Sequence, residues 1–134
     1  MTTPHQILHP KHWKATSGYT SGLAASGRVV FTSGIVGWNA EQIFASDDFV
    51  AQAEQCLKNI VAVLAEAGAR PEHLVRLTWY VTSKEDYLNN LKALGRAYKA
   101  VIGRHYPAMA VVQIVALIDE GAKLEIEATA VIPA

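Results

Sequence analysis

"AMAVVQIVALIDEGAKLEIEATAVI" spans residues 108–132, and its reading decides the fold. The last run, "KLEIEATAVI" (123–132), alternates as a half-buried strand does. Leu124, Ile126, Ala128 and Ala130 take one side, and Glu125 and Glu127 take the other. Side chains two apart on a strand project from the same face, about 7 Å apart at roughly 3.3 Å per residue. The preceding run, "AMAVVQIVAL" (108–117), is apolar on both faces and reads as another strand, with "IDEGA" (118–122) as the turn. A strand apolar on both sides needs cover on both sides.

Working outward, two amphipathic helices supply cover for one side. In "FASDDFVAQAEQCLKNIVAVLAEAG" (44–68), Phe49, Ala53, Leu57, Ile60 and Leu64 recur at three- and four-residue steps. Ser46 or Asp47 can cap the first turn, Asp48 suits the positive helix end, and Gly68 can stop the helix. In "VTSKEDYLNNLKALGRAYKAVIG" (81–103), Ser83 and Asp86 resemble a capping box. Tyr87, Leu91, Leu94, Tyr98 and Val101 form its stripe, and Gly103 can end it. "HLVRLTWYVT" (73–82) is a strand between the helices. "GRVVFTSG" (27–34) is another, expected to form a hairpin with "GYTSGLAASG" (18–27). The order β-β-α-β-α-β-β predicts an α+β domain whose sheet carries both helices on one face. The other face stays largely apolar and open, which points to a homo-oligomer. The competing expectation is a monomer whose 35–48 loop folds over that face.

The chain of 134 residues fits a single domain, with residues 1–16 as an irregular lead-in. Half of it is apolar, and its 12 basic and 12 acidic residues balance. Zero formal charge argues against an obligate nucleic-acid binder. One cysteine, Cys56, allows no intrachain disulfide and fits a reducing compartment. No apolar run has the length of a membrane span, and "MTTPHQILHPKHW" (1–13) lacks a signal-peptide pattern, so a cytoplasmic protein is expected.

Gly18-Tyr19, "FTSG" (31–34), "LAEAGA" (64–69), "YPA" (106–108) and "LEIEATA" (124–130) occur in an order that resembles the RidA/YjgF/Yer057c family. Its members are enamine/imine deaminases with the older label endoribonuclease L-PSP. The resemblance runs from about Gly18 to Val131. It implies a chorismate-mutase-like fold with a mixed sheet, a homotrimer with sheets inside and helices outside, and small-molecule sites in the clefts between subunits. It also implies hydrolysis of amino-acid-derived enamines and imines to a keto acid and ammonia, with no metal or organic cofactor. By the same resemblance, Tyr19, Ser33 and Glu125 match site positions. The arginine that such proteins place after "PA" to hold a substrate carboxylate is Met109 here, and a cysteine often found two residues later is Val111.

Imine hydrolysis needs a positioned water, a group to take its proton, and donors for developing charge. Glu125 is the candidate proton acceptor, its pKa raised by burial and by Glu127, which is expected to stay structural. Tyr19 and Ser33 can donate hydrogen bonds. Met109 cannot grip a carboxylate as arginine does, so the expected substrate lacks a free α-carboxylate and meets an apolar wall. Trp38, in the loop "GIVGWNAEQIFAS" (34–46), can stack on a planar ligand or close the sheet edge. Trp79 is expected in the core and Cys56 buried and inert. His5, His9 and His12 read as a flexible tail, and His73 and His105 as exposed element ends. The alternatives are a non-catalytic trimer that binds a small ligand, and, third, the ribonuclease of the older label.

Overall fold

The computed structural model describes residues 3–134. Ten strands and α-helices build it: β1 (Gln6–Leu8), β2 (Gly22–Ala24), β3 (Gly27–Phe31), β4 (Ile35–Val36), α1 (Phe49–Glu66), β5 (Leu74–Val81), α2 (Lys84–Leu88), α3 (Leu91–Val101), β6 (Ala108–Gln113) and β7 (Leu124–Pro133). A five-stranded mixed sheet runs β3-β7-β5-β6, with β4 also pairing β7. Among the described strand pairs of this sheet, β5–β6 is the parallel one, as a strand–helix–strand crossover requires. The apolar side of β7 (Leu124, Ile126, Ala128, Ala130) is buried with Leu77, Trp79 and Val81 of β5 under the stripe of α1. Strand alternation leaves Glu125, Glu127, Tyr80 and Thr78 on the opposite face.

Local chemistry sets the helix ends. Asp48, rather than Ser46 or Asp47, caps α1, its Oδ2 accepting from the Ala51 N–H at 2.9 Å. Gly68 (φ 78°) and Gly103 (φ 99°) take the left-handed positions after the helices, as expected. Ser83 Oγ accepts from the Asp86 N–H at 3.1 Å. The expected second helix is two pieces, broken at Asn89–Asn90, where the Asn90 side chain donates to the Asp86 carbonyl.

The N-terminal region departs from expectation. The lead-in was expected to be irregular over 1–16, of which Met1 and Thr2 lie outside the described residues. It contains β1, which pairs antiparallel with β2. The expected hairpin between 18–27 and 27–34 is therefore absent among the described residues: β2 takes β1 as its partner, while β3 pairs β7. Thr20 bridges to Ala108 of β6, and Leu8, Ser21, Gly22 and Leu23 lie beside Arg76, Ala108 and Thr129 at one end of the open face. Strand β6 also ends at Gln113, short of the expected Leu117, because its partner β5 ends at Val81 opposite it. Beyond it, Val115 and Ile118 stand fully exposed.

The 35–48 loop does not fold over the open face. Gly37 abuts the Gln52 backbone of α1, and Asn59 donates to the carbonyls of Val36 and Trp38. Gln52, buried in α1, donates to Ser46 O and Gly121 O and accepts from Lys123 N, tying the loop to the β6–β7 turn. His73 and His105 are buried, contrary to expectation. His73 Nδ1 accepts from the Arg70 N–H, and His105 Nε2 bonds the Leu74 carbonyl at 2.6 Å, so both anchor the entry to β5. Cys56 is fully buried, its thiol pushed up mainly by burial. The open face displays Val29, Phe31 and Val112, with Phe31 72% exposed.

Candidate functional site

Sheet parity divides the sequence-predicted site residues into two groups. Met109 lies opposite Leu77, and Leu77 opposite Ala128, so Met109 faces the helices. Glu125 lies opposite Tyr80, and Tyr80 opposite Val112, so Glu125 faces away from them. Within one chain, Met109 and Glu125 are on opposite sides of the sheet.

The first group surrounds a cavity of about 590 Å³ between α3 and the edge strand β6. Met109 and Val111 form its sheet wall, and Leu91 and Leu94 of α3 face them. Thr20 N–H donates to Pro107 O at 3.2 Å, which brings Tyr19 alongside as part of the rim. Tyr98 and Tyr106 stack at 5.2 Å and 12° and close one end. Burial pushes the Tyr98 phenol up, and its hydroxyl donates to His105 O at 2.6 Å. Trp79, in the core as expected, also walls the cavity, edge-on to Tyr87 at 6.1 Å. None of the described residues lining the cavity is charged. A cavity of this size and lining has room for a small, mostly apolar molecule.

The second group sits on the open face. Between Phe31, opposite Thr129, and Ile35, opposite Ile126, the chain has one residue more than the facing stretch of β7. That bulge leaves Ser33 exposed and brings Gly34 directly beneath the Glu125 carboxylate. Thr32 holds the bulge: its N–H donates to Ala128 O and its hydroxyl accepts from Ala128 N–H, both at 2.9 Å. Glu125 is half-buried, and its pKa is raised, first by desolvation, then by the carboxylates of Asp119 and Glu127. Glu127 accepts a 2.7 Å hydrogen bond from the Tyr80 hydroxyl, a structural engagement that raises the Tyr80 pKa in turn. Trp38 joins neither group. It packs on Phe44 at 5.6 Å, in the loop pinned to α1.

Sequence reasoning missed Trp79, Tyr87 and Tyr106 as cavity residues, and Asp119 as a neighbour of Glu125. The parallel pairing of Trp79 with Val111 is what brings β5 into the cavity wall. That register follows from tertiary pairing, not from either strand alone.

An α+β chain with this mixed sheet and its two main helices belongs to the endoribonuclease L-PSP family, whose model matches residues 10–132. This is the RidA/YjgF group that the ordered motifs resemble. The protein DfrA of Myxococcus xanthus is 35% identical over 120 residues, covering 88% of each chain. The 2-iminobutanoate/2-iminopropanoate deaminase of Salmonella typhimurium is 32% identical over 120 residues, covering 87% of this chain and 89% of its own. Among solved structures, the Rid-family protein YyfB of Yersinia pestis, of unknown function, superposes with a TM-score of 0.84 at 30% identity. That match covers 98% of this chain and all of the other.

Proposed function

We propose that this protein hydrolyses an enamine or imine lacking a free α-carboxylate, releasing ammonia in a cleft completed by a second copy of the chain. The observation that carries the reading is the uncharged, aromatic-walled cavity with Met109 in its side. A carboxylate entering it would be desolvated without a cation to pair with, which is costly. A neutral imine carries no such penalty. The deaminase name of relatives 32% identical supports the reaction class.

The chemistry balances: one imine and one water give one carbonyl compound and one ammonia. Water adds to the imine carbon, and the C=N electron pair moves to nitrogen, which takes up a proton. Glu125 accepts the proton that the water loses and returns it to the amine; as the C–N bond breaks, the hydroxyl oxygen's electron pair forms the carbonyl and its proton passes to solvent, balancing the one that nitrogen took up. A raised pKa suits a group that must both take and give a proton near neutrality. Tyr19 and Ser33 supply hydroxyl donors to the substrate, and Trp38 keeps the loop beside the bulge in place. An enamine enters the same sequence once its β-carbon is protonated.

Because Glu125 and Met109 face opposite ways, a working site takes Ser33 and Glu125 from one copy and Tyr19 and Met109 from its neighbour. The exposed apolar open face (Val29, Phe31, Val112) supports association, and a homotrimer with three such clefts is the proposed assembly. The same separation of faces favours the second reading, a ligand-binding protein in which Glu125 does no chemistry. RNA cleavage is the third reading, and zero formal charge weighs against it.

The test is ammonia release from 2-aminoacrylate and from a non-carboxylate imine by wild type, Met109→Arg and Glu125→Ala. The reading expects wild type to prefer the neutral imine, Met109→Arg to gain activity on 2-aminoacrylate, and Glu125→Ala to lose both. A folded oligomer that turns over neither substrate in any variant leaves the binding reading standing instead.

A further inference from the structure

Trp79, one of the residues lining the cavity, carries a buried polar group without a partner. Trp79 is only 3% exposed, yet its indole Nε1–H has no hydrogen-bond acceptor. Leaving a buried donor unpaired is unfavourable, and such groups in folded proteins call for an explanation. Trp79 lines the cavity with Met109 and Val111, and Val111 is its direct partner in the parallel β5–β6 ladder. Tyr87 stands edge-on at 6.1 Å, offering at most the weak acceptor of a ring face.

We infer that Trp79 Nε1–H is a specificity-determining donor, and that the substrate is a planar, apolar molecule with a neutral acceptor atom (a carbonyl oxygen or an imine nitrogen) that completes this bond. The inference rests on the proposed neutral-imine reading and narrows its substrate class. A body flanked by Tyr87, Tyr98 and Tyr106 favours a flat ligand, because rings stack or meet edge to face. A single N–H donor in a cavity without a lining cation favours a neutral acceptor over a carboxylate. Met109 widens the tolerance for ring shape, as a flexible thioether does. Position and polarity of the ligand are then read by Trp79, in a cavity where an arginine grip is absent.

Three probes test this on the full-length protein: acetophenone (flat, neutral acceptor), ethylbenzene (similar shape, no acceptor) and benzoate (flat, anionic). The chain has three tryptophans, so its indole N–H resonances are assigned with Trp13→Phe and Trp38→Phe, leaving Trp79 intact. Acetophenone is expected to move the Trp79 indole proton downfield and to bind about five- to tenfold more tightly than ethylbenzene, with benzoate weakest. In Trp79→Phe, the preference for acetophenone over ethylbenzene is expected to vanish while ethylbenzene still binds. A Trp79 resonance that stays put at saturating acetophenone overturns the inference, as does equal binding of the first two probes or binding of neither. Ammonia release reports separately: turnover of a neutral imine with Trp79 silent sinks only this inference, and a responsive Trp79 without turnover sinks only the deaminase.

Discussion

Gly34→Ala separates the role of Glu125 from the stability of the fold. A Cβ at position 34 would overlap the Glu125 Oε2 and lie 3.1 Å from its Cγ. Among the described residues, the positive-φ glycines are Gly18, Gly27, Gly68 and Gly103, so an alanine backbone is tolerated at 34. The obstacle is the free end of a flexible side chain, so the carboxylate swings away and the strands stay put. Stability should change by no more than about 0.5 kcal/mol, as at other surface positions. The carboxylate, however, must move by about 1 Å or more, a misplacement that can cost about 100-fold in rate. That corresponds to about 2.7 kcal/mol of transition-state stabilisation.

The pH profile gives a second, independent readout. A proton acceptor must be ionised, so activity falls as pH drops through its pKa. The wild-type limb should lie above the ordinary carboxylate value of 4.5, because burial, Asp119 and Glu127 raise Glu125. Swinging into water relieves the desolvation, so in Gly34→Ala the limb should shift toward lower pH. The assay is kcat/KM for ammonia release from a neutral imine across pH, beside a urea unfolding curve. A folded Gly34→Ala enzyme with full kcat/KM and an unshifted limb would refute the assignment of Glu125.

Other outcomes follow from single groups. Gln52→Leu removes three hydrogen bonds of 2.8–2.9 Å that tie the 35–48 loop to the β6–β7 turn. It should cost about 3 kcal/mol in urea unfolding at roughly 1 kcal/mol per bond, and a loss below about 1 kcal/mol would contradict that role. Because the Glu125 pKa is raised on folding, its charged form is disfavoured in the native state, and stability drops as pH rises through the folded value. Glu125→Gln should therefore raise Tm at pH 7, with the gain disappearing below about pH 4; an unchanged Tm at pH 7 counts against it. Burial lowers the pKa of both His73 and His105 from 6.5. Their contribution should be complete above that pH and be lost as pH falls through the lower folded values, so thermal scans from about pH 7.5 to 5 should show falling Tm, less steeply in His105→Gln.

What was legible in the sequence was whatever a local pattern records. The stripe of α1, the alternation of β7 and the glycine stops at Gly68 and Gly103 needed no knowledge of partners. Glu125 and Glu127 were assigned to one face by spacing alone, and that is where they lie. What escaped depended on pairing between distant segments. Residues 22–24 pair with 6–8 because the lead-in offers Ile7 and Leu8 as a strand, a competition invisible in either segment. His73 and His105 look like exposed ends in a linear reading, and they are buried because each bonds backbone where β5 begins. Trp79 was assigned to the core correctly, but its second surface, in the cavity, exists only because β6 is an edge strand that α3 does not fully cover.

Parity makes the last expectation sharp. Position 109 faces the helices and position 125 faces away, and no side-chain rotation carries either through a hydrogen-bonded sheet. If one reaction uses both, two chains must meet. Glu125→Gln leaves the cavity whole and removes the base, while Met109→Trp fills the cavity and leaves the base. Each alone should be inactive. Refolded together in equal amounts, they should form mixed oligomers in which about a quarter of the clefts pair an intact cavity with an intact Glu125, by random assembly around a cyclic ring. Native mass spectrometry establishes the mixing, and ammonia release reads the recovery. A site housed within one chain predicts no recovery at all, because every chain in the mixture has one half disabled. Mixed oligomers that remain inactive would therefore exclude a shared Met109–Glu125 cleft.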